Sequence, residues 1–342
     1  MTRGRALQLF FFLAALAALL WLLNKIGWSS IGQALVRVGP MGALMLAGLG
    51  FTETILDSAA LAIAIGQRRS GHVLFFNSLG AVLNQILPFD LGELAKAGLV
   101  HRMFPGGATI AGTIVWNYVF KISRPVVTLV AALIGLAGAT HVDAKVRYLI
   151  VAGALLSFVP YLVLRLVLRQ GAAVLIVRLM SFVRLLRRDP QRFLVAARGI
   201  DGTVAGFWRE RPGAFMAALM LQIGARLASW SSLVVTLRLI GLPLTFTECA
   251  LIYAAMNTAE LLITVIPARL GVAEGAAFGI FRLCGLPSEV GVIMYVVLRL
   301  KSLATSGILA PFSFLRIAPA PDPAHASRTP EPDPPPQDRS AG

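Results

Sequence analysis

Apolar runs separated by short polar breaks set the layout of this chain. Residues 7–23 carry no charge and follow Arg3 and Arg5. They nearly reach the ~20 residues that a membrane-spanning helix needs. Ala15-Leu16-Ala17 offers a weak signal-cleavage site, but the apolar run continues to Trp21, Leu22 and Leu23, which predicts an uncleaved anchor. Ile26, Trp28, Ile31, Leu35 and Val38 then recur at helical spacing, the pattern of an interfacial helix over 25–40. A second span over 41–65 ends at Gln67-Arg68-Arg69. The next apolar run, 73–87, is too short to cross comfortably and meets Pro88 and Gly92 before a further helix reaches His101-Arg102. This predicts a re-entrant hairpin over 71–103. A short interfacial helix over 107–119, a third span over 123–138, a polar loop over 140–145 and a fourth span over 148–168 follow. The fifth span, 213–239, stops at Gly241-Leu242-Pro243. A second hairpin over 247–283 and a last span over 290–309 complete an all-α polytopic membrane protein of about six full spans and two re-entrant hairpins.

One phrase occurs twice in that layout. Leu87-Pro88-Phe89-Asp90-Leu91-Gly92 and Ile266-Pro267-Ala268-Arg269-Leu270-Gly271 share aliphatic-Pro-x-x-Leu-Gly, and a glutamate follows each, Glu93 or Glu274. Proline removes a backbone donor and clashes with the preceding turn, so Pro88, Gly92, Pro267 and Gly271 mark breaks in helices at membrane depth. Paired breaks at matching places in two halves point to a transporter-type site. Span, hairpin and span occur over 41–138 and again over 213–312. With the first hairpin entered from one face and the second from the other, the two repeats are inverted.

Composition agrees with the pattern. The chain is 57% hydrophobic and 14% charged, with a mean hydropathy of +0.77, whereas soluble domains carry about 25% charged residues. The net charge of +15 is mostly arginine, and its location decides its meaning. Ten arginines between Arg165 and Arg211 face Asp189, Asp201 and Glu210, which places the basic loop 169–211 and both termini in the cytoplasm and the loop 140–145 outside. The same arginines suit anionic lipid head groups. They lack a nucleic-acid-binding motif, so no nucleic-acid partner is expected. Cys249 and Cys284 have no CxxC partner and no histidine cluster beside them, hence no metal or cofactor is expected. Residues 317–342 are Pro-, Ala- and Asp-rich, ending in Pro334-Pro335-Pro336 and beyond, a composition that predicts a disordered tail.

Charges inside the spans carry the candidate chemistry. Each costs roughly 2.5–3.5 kcal/mol on insertion scales and requires a partner or a wet cavity. The first hairpin holds Asn84, Asp90, Glu93 and Lys96; Lys121 and Arg124 open the third span; the second hairpin holds Asn257, Glu260, Arg269 and Glu274; Arg299 and Lys301 lie in the last span. Glu93 and Lys96 share a helix face at i,i+3 spacing. The returning half-helix begins near Leu91 with its positive N-terminal end toward the midplane, where it favours an anion. Glu53 and Asp57 in the second span read as internal ion-pair partners that lock helices together. The remaining mixture of signs around two broken helices suits a cavity for a charged or zwitterionic head group.

Asn84-Gln85-Ile86-Leu87-Pro88-Phe89-Asp90-Leu91-Gly92-Glu93-Leu94-Ala95-Lys96-Ala97 resembles the N-x-x-x-P-x-x-x-G-E-x-x-[RK]-A stretch of the lysylphosphatidylglycerol synthase transmembrane-region family. Ile266 to Ala276 resembles its second motif, P-x-x-x-G-x-x-E, and Arg299 falls where that family usually has an arginine. The resemblance covers 1–316 and implies a flippase-like bacterial inner-membrane protein. Stand-alone members of the family are associated with glycolipid, hopanoid or polyprenyl-lipid pathways. The soluble aminoacyl-transferring domain is absent, so lipid lysylation is not implied and no enzymatic activity is expected. Phe89-Asp90 replaces the family's common Gly-Arg, and Ala273 replaces an arginine before Glu274, which alters the groups offered to a lipid. The expected function is movement of a phospholipid, glycolipid, hopanoid or polyprenyl-linked lipid between leaflets. Lys96, Arg124, Arg269 and Arg299 would hold an anionic group, and Glu93 and Glu274 would orient those cations or carry a coupling proton. Two other readings stay open: an integral-membrane lipid transferase, which the unclustered His72, His101, His141 and His325 do not favour, and a non-transporting partner of a lipid-biosynthesis enzyme.

Overall fold

The computed structural model describes residues 28–67, 70–86, 91–104, 107–160, 162, 194–195, 198–199, 201–202, 206–207, 210–263 and 271–312. Among these the chain is helical and without strands. The first predicted span, most of the basic loop, Pro88, Pro267, Arg269, Asp90 and the tail lie outside the described residues.

Among the described residues nine helices carry the fold: α1 Trp28–Ala64, α2 Ser70–Ile86, α3 Leu91–Met103, α4 Gly107–Gly138, α5 Ala144–Leu156, α6 Pro212–Leu239, α7 Phe246–Ile263, α8 Val272–Leu283 and α9 Ser288–Leu309. Four contain stretches long and apolar enough to cross a membrane, Gly32–Ala64, Thr109–Gly138, Pro212–Leu239 and Ser288–Phe312. These four flank the two helix pairs: α2 and α3 fall between α1 and α4, and α7 and α8 fall between α6 and α9. The chain is therefore an all-α, multi-pass membrane protein.

Two boundaries differ from the sequence reading and one agrees with it. The expected change from interfacial segment to second span falls inside α1, which is two helices meeting at a kink at Gly39 (φ 60°, ψ 176°) immediately before Pro40. Proline disfavours the helical conformation in the residue before it, and glycine at that position readily takes the positive φ instead, so the break falls at that dipeptide. The expected division between an interfacial helix at 107–119 and a span from 123 is absent, because α4 runs unbroken through Pro125. Polar residues suggested a boundary there, but each has a protein-side role: Ser123 Oγ donates to the Phe120 carbonyl at 2.9 Å and Arg124 pairs with Glu260. Such local satisfaction lets proline persist inside a membrane helix. The fourth predicted span begins early, at Ala144, because the Asp143 side chain caps the helix by accepting from the Lys145 amide at 2.7 Å. That helix turns at Ser157 and Phe158 ahead of Pro160.

Small residues set the packing. Ala60, Ala131, Ala132, Ala225, Ala250 and Ala254 are buried. Gly135 of α4 lies so close to α7 that an added Cβ would meet Leu251 Cβ at 2.6 Å. Close backbone approach replaces the hydrophobic drive that is missing in lipid. α6 packs along α1, and α7 along α4, joining the two halves of the chain. Met41, Leu44, Leu149, Met220 and Ile308 remain exposed, the apolar exterior that a bilayer solvates.

Candidate functional site

The first hairpin closes because its glycines allow it. A Cβ on Gly92 would collide with the Gly80 carbonyl oxygen and the Asn84 side chain, and a Cβ on Gly80 would meet Lys96 Cβ at 2.9 Å. The equivalent glycine of the second phrase has a different task. Gly271 adopts φ 74° as it starts α8, a left-handed conformation that residues with a side chain rarely take.

Close packing of α2 and α3 buries a chain of polar groups. Lys96, 2% exposed, pairs with Glu93 Oε2 at 2.7 Å and donates to Asn77 Oδ1 at 2.9 Å. Its ammonium lies 3.7 Å from the Trp116 ring centroid. Asn77 Nδ2 donates in turn to Asp57 Oδ2 at 2.8 Å and to Ser58 Oγ at 2.9 Å. Gln222 Nε2 of α6 donates to the other oxygen of Asp57. At the far end Asn84 Nδ2 donates to Glu93 Oε1 at 2.8 Å. Every link joins a donor to an acceptor, so the chain fastens the hairpin to α1, α4 and α6, while the amide oxygens of Asn84 and Gln222 are buried without a partner among the described residues.

Asn84 also lines a cavity of about 280 Å³. Its wall takes Glu53 from α1, Asn84 from α2, Arg124 from α4, Arg226 and Ser229 from α6, Tyr253, Asn257 and Glu260 from α7, and Tyr295, Arg299, Lys301 and Ser302 from α9. Both halves of the chain therefore contribute to one polar chamber. Charges on its wall form ion pairs, two of them across the halves and one within the second half. Lys301 Nζ meets Glu53 Oε2 at 3.0 Å and Ser232 Oγ at 3.2 Å. Arg124 Nη1 lies 3.4 Å from Glu260 Oε2. Arg299 Nη1 donates at 2.7 Å to Glu274 Oε1, whose carboxylate is 1% exposed behind the wall. Asn257 Nδ2 turns to the Tyr253 carbonyl at 2.9 Å.

The residues singled out from sequence thus separate into groups. Asn84, Arg124, Asn257, Glu260, Arg299 and Lys301 line the cavity. Glu274 supports it through Arg299, and Glu93 through Asn84. Lys96 belongs to the buried chain and is not among the wall residues, and Lys121, half-buried in α4, is not among them either. Glu53, read as an internal ion-pair partner, does form one, and it also faces the chamber. Arg226, Ser229, Tyr253 and Tyr295 were not anticipated. Arg226 had a signal available, since an arginine near the middle of an apolar 28-residue helix is a functional-site pointer by itself. It lies far in sequence from both repeated phrases.

Comparison with curated proteins and with solved structures finds no match. The family model for the lysylphosphatidylglycerol synthase TM region matches residues 6–310, a stretch that contains both hairpins and every residue of the chamber. The chain belongs to the lysylphosphatidylglycerol synthase TM region family.

Proposed function

We propose that this protein moves a lipid between the two leaflets of a bacterial inner membrane, passing the head group through the chamber while the tails remain in the bilayer. The observation that carries the reading is one polar cavity, walled by both halves of a multi-pass protein of a lipid-handling family, at the depth of four membrane-long helices. Its volume, about 280 Å³, is at the lower limit of small-ligand pockets, roughly 300 Å³. A head group matches that size and a whole lipid does not. Ion pairs that join the halves, Lys301 with Glu53 and Arg124 with Glu260, are contacts that a rocking motion of one repeat against the other would exchange. In this reading the repeats are inverted and both termini and the basic loop are cytoplasmic.

The test is reconstitution into vesicles that carry a fluorescent phospholipid in both leaflets, followed by chemical quenching from outside. Protein-containing vesicles are expected to expose the inner-leaflet label faster than empty ones. Ser229→Trp, which fills the chamber, is expected to abolish the gain. Equal quenching with and without the unaltered protein, across anionic and zwitterionic lipids, would remove the proposal.

A further inference from the structure

We infer that the chamber selects a lipid head group with a single exposed negative charge of the phosphodiester type, and that Arg226 is the residue that selects it. The inference rests on the reading above that the cavity receives a head group.

Arg226 differs from every other cation on the wall. Lys301, Arg124 and Arg299 each have a carboxylate partner. Among the described residues Arg226 has none, although it is only 6% exposed. Its Nε is buried without an acceptor. Its guanidinium rests 4.4 Å from the centroid of Phe120, which steadies a cation through the ring face but accepts no hydrogen bond. Tyr253 hydroxyl donates to the backbone carbonyl of Arg226 at 3.4 Å, so it does not occupy the guanidinium. A charge so placed, on a residue that lines a cavity, leaves a hydrogen-bonding deficit that an anion in that cavity would fill.

The form of the deficit identifies the ligand chemistry. A guanidinium presents parallel N–H groups matched to two oxygens of a phosphate, where an ammonium offers a point charge. Ser229, one turn along α6, and Tyr253 bring hydroxyls to the same wall. The acids Glu53 and Glu260 also face the chamber. They are neutralised by their own partners, and they oppose a second negative charge on the ligand. One uncompensated cation beside paired acids favours a monoanionic phosphodiester over a zwitterion, whose own cation would find no unpaired carboxylate among the described residues of the wall, and over a phosphomonoester dianion.

The experiment exposes the purified full chain to nanodiscs of equal phosphatidylglycerol and phosphatidylcholine and measures the lipid retained after transfer to detergent. The unaltered protein is expected to prefer phosphatidylglycerol by about tenfold, the scale of one charge-assisted contact. Arg226→Gln is expected to bring the ratio near one, and Arg226→Lys to keep only part of it. Glu53→Gln, which frees Lys301, is expected to raise the ratio. An unchanged ratio in Arg226→Gln overturns the inference. If that variant fails to fold, a Glu53→Gln ratio no higher than that of the unaltered protein overturns it instead. Displacement of the lipid by millimolar glycerophosphoglycerol, the free phosphodiester head group, also overturns it, because the ligand would then be water-soluble. Vesicle transport is scored separately. Selective retention without transport defeats the proposed function and leaves the selective site standing, whereas transport of both lipids at equal rates, unaltered by Arg226→Gln, defeats the selectivity alone.

Discussion

Lys96 and Arg226 are both cations buried in apolar helices, and their surroundings give them opposite roles. Lys96 has a carboxylate, an amide oxygen and an indole face around it, so its charge is spent inside the protein. Arg226 has a phenyl face and a cavity, so its charge remains available. The acids differ in the same way. Glu274 is almost fully enclosed and pairs with Arg299 at 2.7 Å, whereas Glu260 is 23% exposed and 3.4 Å from Arg124. Removing one member of an enclosed pair strands the other, at about 3 kcal/mol, while a wet, longer pair contributes less than about 1 kcal/mol. Glu274→Gln is therefore expected to lower the melting temperature in detergent markedly, and Glu260→Gln to leave it nearly unchanged. Equal losses in the two variants would count against the distinction.

At the scale of elements, the two helix breaks share a phrase but not a mechanism. Gly92 is required by contact with Gly80 and Asn84, and Gly271 by its left-handed backbone. Gly92→Ala must separate α2 from α3 and is expected to cost about 1–3 kcal/mol. The first hairpin is further fastened through Asn77, whose amide joins Asp57 of α1 to Lys96 of α3. Asn77→Leu leaves that carboxylate and that ammonium each short of a partner, an expected loss of about 2 kcal/mol. Hydrogen exchange is the discriminating measurement. Protection is expected to fall in α2 and α3 and to persist in α7 and α8, which have no part in the chain of bonds. A uniform fall across all four helices would show that the tether is not local. The sequence predicted a pair of helices in each half, and α2 with α3 and α7 with α8 are those pairs; Pro88 and Pro267 themselves lie outside the described residues. The bonds that hold the hairpin were not legible, since Asp57, Asn77 and Gln222 are distant in sequence and meet only when α1, α2 and α6 pack.

For the whole molecule, arginine asymmetry predicts that the loop 140–145 and the basic loop 169–211 lie on opposite sides of the membrane. Cysteines placed at Asp143 and Arg187, after removal of the buried Cys249 and Cys284, are expected to label from opposite faces with an impermeant thiol reagent. Labelling from the same face would dismiss the inverted arrangement and with it the alternating exposure of the chamber.

The hydropathy pattern alone determined that this is an all-α membrane protein and where nearly all of its described helices lie, because insertion depends on the summed transfer energy of contiguous residues. The same local reasoning picked out six residues of the chamber wall. It erred near Lys121 and Arg124, where polar side chains resembled a helix end, but Arg124 pairs with Glu260 of α7 and the helix continues. Tertiary structure decided which charges face a cavity and which are consumed in pairs. Lys96 and Arg299 read alike in the sequence, yet one is enclosed by the first hairpin and the other lines the chamber. Arg226 was visible as an intramembrane arginine from the start. Its lack of an acidic partner among the described residues became apparent only once α1, α4, α7 and α9 had packed around α6 and paired the other cations.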